Sequence, residues 1–383
     1  MKKNRLEVVI TARPSWARVK SIVEQYAILA TKENIAISLV GPSVSQRYGD
    51  IRNQIPSGIN VHSFPTLHDS DDLANVALGC LDGGIALARH WSSDQPDCVL
   101  IVADRTETLG VALTASVMQI PLIHLQGGEI SGSIDDKIRD ANSKLADLHL
   151  TTNTASQTSL INLGEKIENI HIVGCPSIDL IYENRNKTFE VLESIELGGV
   201  GANFRLSEKF GIVMFHPDTL DTEENLRWVN TLIEVLDRSA LKWFWFWPNP
   251  DHGNSDISKA IRTARENEKL KNVRFVINIR PELFNQLAKQ AKIMLGNSSF
   301  GIREASYLGL PVINIGQRQS GREKHINVLD VIHPPEIDYF QSLVAQKINS
   351  GNSSSSTLYG DGLAGERAAK IIYNWVPKIK SRS

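Results

Sequence analysis

The chain has 383 residues, 42% hydrophobic and 22% charged, with 41 Lys plus Arg against 43 Asp plus Glu for a net charge of −2. That length exceeds what a single core usually fills, so two domains are expected, and the balanced charge gives no footing for nucleic acid or an acidic or basic tail. The three cysteines, Cys80, Cys98 and Cys175, are far apart and form neither a metal-type spacing nor a disulfide framework; with a short N-terminal apolar run and no membrane-length stretch, a cytoplasmic protein without membrane contact is expected.

Leu6–Ile10 reads as a strand, followed by the loop 11–15 with Arg13 and a helix from Trp16 to Ala30, whose apolar positions Val19, Ile22, Val23, Tyr26 and Leu29 recur at helical spacing. Arg13, Arg18 and Lys20 near a helix start do not complement its dipole, so either an anionic ligand or solvated surface bases account for them. Strands follow at 35–41 and 58–64, then a helix from Leu73 to His90. The buried strand 98–103 runs into Asp104-Arg105, a helix covers Thr108–Met118, and the strand 121–125 runs into Gln126-Gly-Gly-Glu129. Ligands collect at such carboxyl ends of parallel strands. The two glycines let backbone approach a ligand closely. Glu129, Asp135 and Asp136 are candidates for acid–base work, while the two aspartates serve equally as ordinary helix-start residues. Arg139, Lys144 and His149 are read on the next helix, and a strand at 170–173 closes the first domain.

Residues 181–206, polar and Gly-rich, read as a linker, after which the βα alternation restarts. Phe210–Phe215 is a strand leading to His216, a helix covers Glu223–Ser239, and Lys242–Trp247 is an aromatic strand better suited to a core than to a sugar platform. A helix at 255–267, a strand at 273–277 and a helix at 280–289 lead to a strand at 292–295, the turn Gly296-Asn-Ser-Ser299, a helical run 301–307 and the strand 310–315, followed by Arg318 and Arg322. Backbone N–H groups at a small-residue turn that opens a helix suit a phosphate; Ser298 and Ser299 add hydroxyls, and Glu304 is better placed for a ribose diol than for a diphosphate. A final helix spans 363–375.

The pattern predicts an α/β protein of two doubly wound, Rossmann-like domains with an interdomain cleft, the glycosyltransferase-B architecture. The expected boundaries are 1–180 for the N-terminal domain, 181–206 for the linker, 207–362 for the C-terminal nucleotide-binding domain, and 363–383 for a helix packing back on the N-terminal domain.

Several segments together carry a resemblance. Ala103-Asp-Arg-Thr-Glu107, Gly127–Asp136, Gly174-Cys-Pro-Ser-Ile-Asp179, Trp247-Pro-Asn-Pro-Asp251 and Gly296–Glu304, with Asn314–Glu323, closely resemble the hydrolysing UDP-N-acetylglucosamine 2-epimerases, over nearly the whole chain. The resemblance implies removal of the proton at C2 of the sugar as UDP leaves C1, addition of water to the resulting glucal, and release of N-acetylmannosamine for sialic-acid-type sugars, with no metal or redox cofactor and a homodimer or higher homo-oligomer. It implies Asp104, Glu129 and Asp135 as catalytic, and Arg13, Arg105, Gln126, His216, Asn249, Ser298, Ser299, Glu304 and Arg318 as contacts to the UDP-sugar. The chain departs from the family at Gln126, where several members have Glu; at Asp140, where His is usual; and at Ser43, where the loop commonly carries His. Gln cannot ionise, so Gln126 cannot accept the proton. The alternatives are a relative acting on a 2,4-diacetamido or GDP-linked sugar, a glycosyltransferase of the same architecture, and a nucleotide-sugar binding protein without catalysis.

Overall fold

The computed structural model describes residues 5–45, 51–68, 72–132, 134–186, 193–218, 222–248, 253–277 and 279–380. The chain divides into two compact units, one of Met1–Ile130, Ile134–Tyr182 and Tyr359–Ser383, the other of Ser131–Ser133 and Glu183–Leu358.

The first unit runs β1 (Leu6–Ile10), α1 (Arg13–Ala30), β2 (Ile35–Val40), β3 (Asn60–Phe64), α2 (Leu73–Ser93), β4 (Cys98–Val102), α3 (Thr106–Val117), β5 (Leu122–Leu125), α4 (Asp135–Leu145), β6 (Leu148–Thr151), α5 (Thr154–Asn162), β7 (Ile170–Ile172) and α6 (Pro176–Glu183). Its strands form one parallel sheet in the order β3-β2-β1-β4-β5-β6-β7. The central strands β1, β2 and β4 are buried at every position, as expected where helices cover both faces of a parallel sheet. The sheet reverses direction of growth between β1 and β4, which places the start of α1, with Arg13, beside the loop carrying Asp104 at the switch point.

The second unit runs β8 (Val200–Gly201), β9 (Phe210–Met214), α7 (Thr222–Asp237), β10 (Lys242–Phe246), α8 (Asn254–Glu266), β11 (Val273–Val276), α9 (Pro281–Gln290), β12 (Met294–Gly296), α10 (Ser299–Ile302), α11 (Glu304–Leu308), β13 (Val312–Ile315), β14 (Val328–Val331) and α12 (Ile337–Asn349). The sheet order is β14-β13-β12-β9-β10-β11-β8, parallel except for β8. Its switch point lies between β9 and β12, the strands that end at His216 and Asn297. Trp243 and Trp245 of β10 lie fully buried in the core, which accounts for the aromatic run.

The helix α13 (Ala364–Lys380) belongs to the first unit and is anchored there by Asp179. That buried carboxylate accepts from the backbone N–H groups of Ala364 at 3.0 Å and Gly365 at 2.6 Å, and from the Ser21 hydroxyl at 2.8 Å. An acceptor at a helix N-terminus satisfies N–H groups that have no intrahelical partner. Gly365 is required here, since a Cβ would sit 2.4 Å from Ser21 Oγ.

Three expectations change. The stretch 181–206 is not a plain linker: Val200 and Gly201 pair antiparallel with β11, Glu193 bridges Arg205, and Leu197, Phe204 and Leu206 are buried in a core cluster of the second unit. His149 lies on β6, not on the preceding helix, because α4 ends at Leu145 and Leu148–Thr151 pairs with β5 and β7. The run after Gly296 is two short helices instead of one, broken at Arg303 with φ −94° and ψ −70°. Among the described residues, no helix is long and apolar enough to cross a membrane.

Candidate functional site

In the first unit, the ends of β4 and β5 and the start of α4 meet around one guanidinium. Arg139 is fully buried and donates to the Asp104 carboxylate, to the Asp136 carboxylate and to the backbone carbonyl of Glu129. Burial by itself would depress its pKa, but Asp104, Glu129 and Asp136 outweigh that and raise it above the ordinary arginine value. The cation in return favours the ionised form of its acidic neighbours. The crowded carboxyl groups therefore share one buried cation, which the sequence shows without marking as part of the site. Its signal there is modest: Asp136 and Arg139 stand three apart, a spacing that pairs charges on a helix.

The Glu129 side chain is buried and accepts from Thr152 Oγ1 at 3.0 Å. Asp135 opens α4 and is partly exposed. Asp140, the departure from His, lies on the exposed side; burial of its carboxyl and nearby Asp136 raise its pKa, with Arg139 opposing.

Behind these acids His124 is wholly buried, with Nε2 2.9 Å from the Ala103 carbonyl and Nδ1 3.0 Å from Ser143 Oγ. A carbonyl only accepts, so Nε2 carries the hydrogen, and the single Ser143 hydroxyl hydrogen is shared between Nδ1 and the Arg139 carbonyl, each 3.0 Å away. Burial pushes the imidazole down to about 3, against the hydrogen bond to Ala103. His124 thus holds the β4 turn, where Ala103 takes a left-handed φ of 58° just before Asp104. In the sequence His124 is one member of an apolar strand, and nothing local marks this role.

Gln126 is buried, with a left-handed φ of 65°, and its amide donates to Cys175 Sγ at 3.2 Å. The adjacent glycines serve the chain's own packing: a Cβ at Gly127 would lie 2.8 Å from His124 Nδ1, and one at Gly128 would lie 2.1 Å from the Ser156 carbonyl. Arg105 is held by Glu107 through Nε at 3.0 Å and Nη2 at 3.1 Å. Arg13 is the first residue of α1 instead of a loop residue, and burial lowers its guanidinium to about 10. Ser43 is buried and donates to the carbonyls of Ile10 at 2.8 Å and Val40 at 3.0 Å, tying off the ends of β1 and β2.

In the second unit Asn297 is the organising residue, a role the sequence does not single out. Its side chain accepts from His216 N at 2.8 Å and donates to His216 O at 2.8 Å, locking the loops after β9 and β12 together. Its backbone carbonyl accepts from Gln319 Nε2 at 2.9 Å and from Arg318 at 3.4 Å, drawing in the loop after β13. Gly296 makes this approach possible, because a Cβ there would sit 2.0 Å from the Met214 carbonyl. Ser298 caps α10, and Ser299 Oγ accepts from Arg303 Nη2 at 2.9 Å. Glu304 is buried, 3.8 Å from Arg303 Nε, and its Oε2 makes no hydrogen bond. A buried carboxylate oxygen without a donor is poised to accept one from a ligand hydroxyl. Asn249 lies outside the described residues.

Each unit therefore places its candidate residues at the carboxyl ends of its strands: Arg13, Asp104, Arg105, Gln126, Glu129 and Asp135 in the first, and His216, Ser298, Ser299, Glu304 and Arg318 in the second.

Residues 30–373 match the family model described as UDP-N-acetylglucosamine 2-epimerase. The chain is 33% identical to a UDP-N-acetylglucosamine 2-epimerase of Neisseria meningitidis serogroup B, over 97% of this chain and 95% of that one. It is 32% identical to the UDP-N,N'-diacetylbacillosamine 2-epimerase (hydrolyzing) of Legionella pneumophila, over 88% of each. Among solved structures, Methanocaldococcus jannaschii UDP-GlcNAc 2-epimerase in complex with UDP-GlcNAc and UDP superposes with a TM-score of 0.78 at 16% identity, covering 97% of this chain and 99% of that one, a likeness of fold.

Proposed function

The chain belongs to the UDP-N-acetylglucosamine 2-epimerase family, and from that premise we propose that it is a hydrolysing 2-epimerase that converts a UDP-linked 2-acetamido sugar and water to the free 2-epimer and UDP. The observation that carries the proposal is the buried Arg139, which gathers Asp104, Asp136 and the Glu129 backbone at the ends of two strands. Proton transfer needs carboxyl groups held in fixed positions, and a buried cation among several acids holds them.

In this reading one of Asp104, Glu129 and Asp135 takes the proton from C2 while the C1–O bond to UDP breaks, leaving a C1–C2 double bond. Water then adds its oxygen to C1, and a proton returns to C2 from the other face. Gln126, which cannot ionise, positions the substrate. Ser298 and Ser299 serve the diphosphate, with Arg13 and Arg105 as basic groups toward it; Glu304 serves the ribose, and His216 and Arg318 serve the nucleotide side. No step calls for a metal or redox cofactor.

UDP-N-acetylglucosamine is the first substrate to test. A UDP-linked 2,4-diacetamido sugar is the second, supported by relatives in Legionella pneumophila and Campylobacter jejuni whose names give that activity at 32% and 27% identity. The purified chain is incubated with each sugar nucleotide in D2O and followed by NMR. Release of UDP together with the 2-epimer carrying deuterium at C2 is the expected result. UDP release with the original configuration retained, transfer to an acceptor, or binding without turnover of either substrate defeats the proposal.

A further inference from the structure

We propose that the first unit carries a binding site for one divalent transition-metal cation, of which Zn2+ is the best fit, built from His62 of β3 and His90 and Asp94 at the end of α2. These three residues each offer one ligand atom, and the three atoms lie within 4.8 Å of one another. The inference is independent of the reaction proposed above, because the cluster shares no residue with the acids at the carboxyl ends of the strands.

Each member is prepared for a cation. His90 Nε2 is buried and has no hydrogen-bond partner, a state that costs free energy unless something occupies that nitrogen. The imidazoles of His62 and His90 pack with centroids 4.3 Å apart at 47°. The third member, Asp94, supplies a carboxylate. Arg5 engages Oδ1 of that carboxylate and spends its other contact on the Asp94 backbone carbonyl at 2.6 Å, which leaves Oδ2 to a cation.

A second observation points the same way. Glu7 on β1 is fully buried; its Oε1 accepts from Ser38 at 2.5 Å and Trp91 at 2.9 Å, while Oε2 is buried with no partner. Ser38 pairs in register with His62, and Trp91 follows His90 in α2, so this half-satisfied carboxylate lies beside the histidine pair. A half-satisfied carboxyl group beside two imidazoles offers outer support to a cation held between them.

Two imidazoles and one carboxylate suit zinc over calcium or magnesium, which take oxygen ligands. Tetrahedral zinc, at ligand lengths of about 2.0–2.1 Å, needs its ligand atoms roughly 3.3–3.5 Å apart, so the site closes by drawing the three atoms together on binding. Asp94 is exposed, so water completes the shell. The consequence is structural: β3 is the edge of its sheet, and a cation would clamp it to α2.

The test is calorimetric titration of Zn2+ into the full chain after removal of metal by a chelator, with thermal unfolding alongside. One equivalent bound and a raised melting midpoint are expected. His62→Phe and His90→Phe retain the ring packing; each is expected to weaken binding at least about 100-fold, above the usual 10–100-fold scale for residues that only support a ligand. If either phenylalanine variant melts lower without metal, His62→Gln and His90→Gln replace them. Absence of stoichiometric binding, or equal binding by the His62→Phe/His90→Phe double variant, overturns the site.

Discussion

Arg139, fully buried in α4, donates to the Asp104 carboxylate at the end of β4, from 35 positions further along the chain. The pair joins the loop after β4 to the helix that follows the neighbouring strand β5, and it sets the charge balance of the acidic cluster.

Removing the arginine exposes that dependence. Arg139→Met leaves Asp104 and Asp136 without their shared cation and the Glu129 carbonyl without its donor. Breaking one side of a buried ion pair costs about 3–5 kcal/mol, and a loss in that range is expected in urea unfolding, together with loss of turnover. Stability equal to that of the parent chain would show that the guanidinium does not hold the cluster.

Asp104→Asn and Asp135→Asn are each expected to lower turnover by about 100-fold or more, the scale for losing a general acid or base. UDP affinity by calorimetry stays nearly unchanged, since neither residue is assigned to the nucleotide. Full turnover in Asp104→Asn would move the chemistry to Glu129 and Asp135.

Glu304→Ala is expected to weaken UDP binding by roughly 1.5–3 kcal/mol, the range for a hydrogen bond to a charged group. The same variant leaves buried Arg303 without its carboxylate, so its melting temperature falls as well. Glu304→Gln separates the two effects: it keeps the shape and an acceptor oxygen, and its UDP affinity lies between the parent and Glu304→Ala. Unchanged UDP affinity in Glu304→Ala removes this residue from the site.

Stability depends on pH through His124 and His149, whose folded pKa values are both lowered by burial, His124 to about 3. The unfolded imidazoles take up a proton near the ordinary value of about 6.5. Below that pH the unfolded state binds more protons than the folded one, so stability falls as pH drops from about 6.5 toward the folded value and is complete above about 6.5. Urea midpoints measured between pH 7 and pH 5 should decline, and His124→Gln should flatten the decline. A flat profile for the parent chain would contradict the neutral, buried His124.

Asp179→Ala is expected to loosen α13 from the first unit. Two backbone donors of the helix start and the Ser21 hydroxyl lose their acceptor. Loss of such a cap costs roughly 0.5–2 kcal/mol, and hydrogen exchange at the first turn of α13 should speed accordingly. Unchanged exchange there would assign the anchoring to apolar packing alone.

The alternation of buried strands and amphipathic helices is a local signal, repeating within a few residues, and it suffices for two doubly wound units and for the strand ends where Asp104, Glu129, His216 and Ser298 stand. Short elements escape it: β6 is four residues long and follows α4 after two, so its His149 merges with that helix, and β8 is two residues of a Gly-rich stretch with no apolar pattern. Asn297 carries no local mark of its importance and Arg139 only its spacing from Asp136, since a polar residue on a helix or in a turn looks the same whether it faces water or a buried partner.

The sequence by itself determined the fold class, the family and the residues that end most of the longer strands, because side-chain periodicity and short motifs are properties of neighbours in the chain. Only the tertiary structure decided which of those residues meet. The partners of Asp104, His216 and Asp179 lie 35, 81 and up to 186 positions away. Those contacts follow from strand order and from where each sheet reverses, and they are selected because buried charged and polar groups cost free energy unless a partner, here brought from a distance, satisfies them.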